Sequence, residues 1–108
     1  MPLCQLYTSI KDAEIKDGVE SRMAGVIAKT LGKPMARITM VVMPGTRLMR
    51  LGSLAPACLL VIHSIGVFDA QRNPTYTPAL KQALQDEFNL PPERCLLQYV
   101  DLDGNFIG

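Results

Sequence analysis

Tryptophan is absent from this 108-residue chain, histidine occurs once, and aromatic residues make up only 6%. Charge is sparse and balanced, with 11 basic against 10 acidic residues for a net +1. These charges are spread along the chain rather than clustered, so there is no electrostatic footprint for nucleic acid. No run of about 18 apolar residues is present to cross a membrane. The N-terminus has no basic segment leading into an apolar core, because Lys11, Asp12, Glu14 and Lys16 follow the first apolar stretch directly, so a leaderless, cytoplasmic protein is expected. The three cysteines, Cys4, Cys58 and Cys95, are odd in number, distant in sequence and without CxxC spacing. That argues against a disulfide framework or a zinc site and for reduced thiols packed in apolar runs.

What is present is a 48% hydrophobic composition with six methionines, enough to build a core in one domain spanning residues 1–108. The second residue is proline, at the head of a strand expected over residues 1–7. If the initiator Met1 is trimmed, Pro2 becomes a secondary amine. An unperturbed α-amino group titrates near ~7.7–8.0, and burial among Leu3, Leu6 and other apolar side chains lowers it toward working pH. A rigid strand would then carry a general base.

A polar connection over residues 8–16 precedes Asp17-Gly18-Val19-Glu20, which reads as an N-cap with an acid three residues on. The helix that follows carries Val19, Met23, Val26, Ile27 and Leu31 on one face and is stopped by Gly32 and Pro34. Residues 38–43 form a β-branched strand closed by the turn dipeptide Pro44-Gly45. The second half repeats the order: an apolar strand at 57–65, a helix at 75–89 with the stripe Tyr76, Leu80, Leu84 and Phe88, and a strand at 95–102. A shift of 57 residues carries Pro34 onto Pro91, Arg37 onto Arg94 and one helical stripe onto the other, marking pseudo-repeats at about 1–50 and 57–108.

Two such βαβ units predict an α/β fold, a four-stranded mixed sheet with both helices on one face. The 57–65 strand is apolar at nearly every position, as for a strand buried on both sides. With no helix left to cover the second sheet face, another copy of the chain is expected to do so, making a homo-oligomer. The pieces Arg47-Leu48-Met49 and Asn105-Phe106-Ile107 are candidates to extend a neighbour's sheet.

Pro2 at the start of the first strand, Thr30-Leu31-Gly32-Lys33-Pro34 at the helix end, His63-Ser64-Ile65-Gly66 after the central strand and Pro92-Glu93-Arg94 before the last strand together resemble the macrophage migration inhibitory factor family, within the tautomerase superfamily. The resemblance covers nearly the whole chain. It implies a homotrimer with active sites at subunit interfaces and a cofactor-free, metal-free keto–enol tautomerase of the phenylpyruvate or dopachrome type. Pro2 would be its catalytic base and acid. Lys33, Ser64 and Ile65 match substrate-binding positions, Ile65 through its backbone amide.

The adjacent subunit of familiar members supplies an asparagine and tyrosines. Here Gln98 stands at the asparagine position, Leu96 at one tyrosine and Arg37 at another, so an amide is kept, a π-face is lost and a second cation is gained. The family's CxxC is replaced by Ala57-Cys58-Leu59-Leu60, which argues against thiol oxidoreductase activity. Its receptor-binding charged pair is replaced by Asp12 and Gly45, which argues against receptor signalling. His63 matches a structural position and is expected to be a hydrogen-bonded core residue. Two alternatives stay open: a cytokine-like trimeric binding protein with a vestigial pocket, exported without a leader, and another reaction, such as hydration or dehalogenation of an unsaturated acid, on the same amino-terminal base.

Overall fold

The computed structural model describes residues 1–108. Its strands are β1 (Pro2–Thr8), β2 (Thr39–Met43), β3 (Cys58–Ser64) and β4 (Cys95–Asp101), and its helices α1 (Val19–Leu31) and α2 (Asn73–Phe88). The sheet order is β2-β1-β3-β4. β1 and β2 are parallel, β3 and β4 are parallel, and the central β1 and β3 run antiparallel. The mixed sheet and the two-helix layer are those the residue pattern predicts.

Strand alternation sorts the side chains. Cys4, Leu6, Cys58, Leu60, Ile62 and Cys95 are fully buried under the helices. Against them lie Val19, Met23, Ile27 and Leu31 from α1 and Leu80, Leu84 and Phe88 from α2, the two predicted stripes. Burying one such Leu or Ile contributes about 1.5–3 kcal/mol. Arg22 of α1 joins the helices by donating to Glu87 of α2, with Nε 3.0 Å from Oε2.

The other sheet face has no layer over it. Leu59, Val61 and His63 of β3 are only half-buried while their neighbours are closed, so the strand expected to be buried on both sides is covered on one within the chain. His63 belongs to this open face, where its Nε2 lies 3.3 Å from Gln5 Oε1. It is hydrogen-bonded as expected, but not in the core. The segment 46–54 also exposes Met49, Leu51 and Leu54. No helix is long and apolar enough to cross a membrane.

Several boundaries differ from expectation for local reasons. The residue at the N-cap of α1 is Gly18, in the left-handed region at φ 85°, with no side-chain cap. Asp17 instead offers its carbonyl to Arg22 Nη1 at 2.6 Å. α2 starts two residues early because Asp69 and Asn73 hold each other: Asp69 N–H donates to Asn73 Oδ1 at 3.0 Å, and Asp69 Oδ1 accepts from the amides of Gln71 and Arg72. Pro74 then sits in the first turn, where a missing N–H costs nothing. The piece expected to be extended at Asn105-Phe106-Ile107 is partly a 3-10 turn, Gly104–Phe106, in which the Asp103 carboxylate accepts from Asn105 N–H.

The cysteines are all free and buried. Two that are distant in sequence are register partners across β3 and β4, Cys58 opposite Cys95. Interaction with the neighbouring Cys95 thiol, together with burial, pushes the Cys58 thiol up.

Candidate active site

The site forms at the end of the sheet where β1 begins and β3 stops. Pro2 is opposite Ser64, and both are buried. Pro2 has no N–H to give to the sheet, and at the first position of the strand this costs no ladder hydrogen bond. The Ser64 hydroxyl donates to the Met1 carbonyl at 3.2 Å, which places it against the Met1–Pro2 peptide bond. Cys4, two residues along the same face, is pushed up to about 12 by burial, with the positive amino terminus partly opposing. It stays a neutral thiol beside the site.

The helix end brings the first cation. Gly32 takes the left-handed conformation at φ 66° that ends α1, its N–H donating to Ala28 O, and the Lys33 amide returns to the same carbonyl at 3.0 Å. Pro34 opens a single 3-10 turn, Met35–Arg37, closed by Arg37 N–H on Pro34 O at 3.0 Å. Lys33 and Arg37 are thereby held on one wall. Together with Met1, Pro34 and Ile65 they line a cleft of about 410 Å³. The cleft contains no carboxylate, and the chain's two ion pairs, Arg22–Glu87 and Arg72–Asp69, involve neither cation.

The opposite wall is held by the end of β4. Leu102 N–H donates to Ser64 O at 2.9 Å and Gly66 N–H to Asp101 Oδ1 at 3.2 Å. Gly104 is so close that a Cβ there would lie 3.3 Å from Ile65 Cδ1. These contacts leave the Ile65 side chain 43% exposed at the cleft mouth. Asp101, directly across the sheet from Ser64, holds this turn through Gly66, and no motif in the sequence marks it.

Of the residues singled out from sequence, Lys33, Arg37 and Ile65 meet in one cleft, with Pro2 and Ser64 behind Met1. Leu96 and Gln98 do not join them. They alternate onto the open face of β4, level with Leu59 and Val61, several residues along the strand from the Pro2 end. His63 does not line the cleft either.

Two βαβ units sharing one mixed sheet, with a proline heading a central strand beneath a cationic cleft, define a class of small α/β proteins. The chain belongs to the macrophage migration inhibitory factor family, whose model, described as Macrophage migration inhibitory factor (MIF), matches residues 1–108. It is 29% identical over 108 residues to the macrophage migration inhibitory factor of Meriones unguiculatus, covering 100% of this chain and 94% of that one. It is 30% identical over 109 residues to a D-dopachrome decarboxylase of Mus musculus, covering 100% and 92%. The solved macrophage migration inhibitory factor of Trichinella spiralis superposes with a TM-score of 0.91 at 24% identity, over 98% of this chain and 94% of that one, a likeness of fold.

Proposed function

We propose that this protein is a cofactor-free keto–enol tautomerase of α-keto acids such as phenylpyruvate, with Pro2 as the base and acid. The observation that carries this reading is the placement of a strand-held, buried Pro2 beside a cleft whose charged side chains are the cations Lys33 and Arg37. Removal of Met1 converts the Pro2 nitrogen from an amide to an amine and opens the volume that Met1 fills. The amine lone pair takes a proton from carbon 3 of the substrate, the C–H electrons form the C2=C3 bond, and the carbonyl oxygen gains a proton. The product is an isomer, with no net redox change.

Lys33 and Arg37 hold the anionic head, and the Ile65 amide and Ser64 hydroxyl supply donors to oxygen. Leu96 and Gln98 complete the pocket from an adjacent subunit, because within one chain they face away from it on the uncovered side of the sheet. The assembly is a homotrimer with active sites at its subunit interfaces. The rigid base on a cationic site favours catalysis over a purely binding role.

Deuterium exchange tests the reading. Protein shown by intact mass to lack Met1 should wash deuterium from D2O into carbon 3 of phenylpyruvate well above the buffer rate, and protein retaining Met1 should not. Equal exchange by both forms, or by neither, would defeat it.

A further inference from the structure

A one-carboxylate substrate brings a single negative charge to the two cations of the cleft, Lys33 and Arg37. Neither side chain makes an ion pair, no carboxylate lines the cleft, and both border it, Lys33 just before Pro34 and Arg37 at the end of the 3-10 turn that Pro34 opens. Two unpaired cations at one small site repel each other and favour a ligand that brings two negative charges. No aromatic side chain lines the cleft, whose apolar part within the chain is Met1, Pro34 and Ile65, so the two cations dominate its chemistry. A guanidinium is suited to gripping a carboxylate with two parallel hydrogen bonds, whereas an ammonium acts as a point charge. Even with Met1 in place, the cleft of about 410 Å³ has room for a short chain with a carboxylate at each end.

We propose that the preferred substrates are dicarboxylic α-keto acids, with Lys33 taking the carboxylate beside the keto group and Arg37 the distal one. This rests on the tautomerase reading for its chemistry, but the recognition of a dianion does not. Arg37 is then the specificity-determining residue of the site.

Binding and turnover separate the two claims. Isothermal titration of Met1-free protein with succinate and with butyrate, non-reacting acids of equal chain length, compares a dianion with a monoanion. Succinate should bind on the order of tenfold more tightly, and Arg37→Gln should bring the ratio close to one while leaving the thermal midpoint unchanged. Succinate binding no tighter than butyrate, or a preference surviving in Arg37→Gln, would overturn the proposal. The enol-to-keto rates of oxaloacetate and phenylpyruvate are measured in parallel. A succinate preference without turnover of either acid would refute the tautomerase reading and uphold dianion recognition, whereas phenylpyruvate turnover without that preference would do the reverse.

Discussion

The buried Ser64 hydroxyl donates to the carbonyl of Met1, so removal of Met1 takes away its acceptor and leaves the donor beside the new Pro2 amine. A buried hydroxyl without a partner is unfavourable, and a substrate oxygen entering the space left by Met1 can satisfy it. In the Met1-free protein, Ser64→Ala should therefore raise KM by roughly three- to tenfold, the worth of one neutral hydrogen bond, with kcat much less affected. Steady-state kinetics with phenylpyruvate check this; a loss in kcat alone would place Ser64 in the proton transfer instead.

Arg94 is a buried guanidinium answered by carbonyls only. It donates to Pro56 O at 3.1 Å, Arg50 O at 2.8 Å, Ser53 O at 3.2 Å and Ala55 O at 2.6 Å, clamping the 50–56 loop to the start of β4. Arg94→Ala should cost about 3 kcal/mol in urea unfolding, since charge-assisted hydrogen bonds are the strong ones. Arg94→Lys should recover less than half, because an ammonium cannot reproduce the fork. A loss below about 0.5 kcal/mol in Arg94→Ala would show that the clamp is idle.

The uncovered sheet face makes a prediction about mass. Val61 lies mid-strand on that face. Light scattering should give three times the chain mass for the native protein and a single-chain mass for Val61→Glu, which places a charge where a partner packs. A monomeric native protein would contradict the trimer.

Cys4 makes stability fall in alkali. Its thiol is raised from 9.0 to about 12 in the fold, so between these values the native state binds a proton that the unfolded chain has lost, and ∂ΔG/∂pH is negative. The contribution is fully present below pH 9 and lost as pH rises toward 12; the decrease by pH 10 is about 1.4 kcal/mol. Urea unfolding at pH 8 and pH 10 should show a smaller decrease in Cys4→Ala than in the native chain. Identical decreases would remove Cys4 from the account.

Much of the fold was legible because helix stripes and strand alternation are set by burial, which leaves a period in the sequence. Gly32 and Pro34 marked the end of α1 for the same kind of local reason, a left-handed residue followed by one that cannot continue the helix. What was not legible depended on contacts between distant residues. Asp17 lost the cap because Gly18 turned the chain and Arg22 reached back, and the adjacency of Cys58 and Cys95 exists only once β3 and β4 are in register. At the site, Lys33, Arg37 and Ile65 were identified through a resemblance of short motifs, while Asp101, which steadies the Ile65 wall through Gly66, carries no motif and emerges only from sheet register. Leu96 and Gln98 remain a proposal because a single chain points them away from the cleft.

The most direct test is kcat/KM for enol-to-keto conversion of phenylpyruvate by three samples of verified mass and equal oligomeric state: protein lacking Met1, protein retaining it, and Met1-free Pro2→Gly. The account predicts a rate well above buffer for the first and losses of at least about 10²-fold in the other two, the scale of a lost general base. Equal rates in all three would contradict it, and would remove Pro2 from the chemistry of this protein.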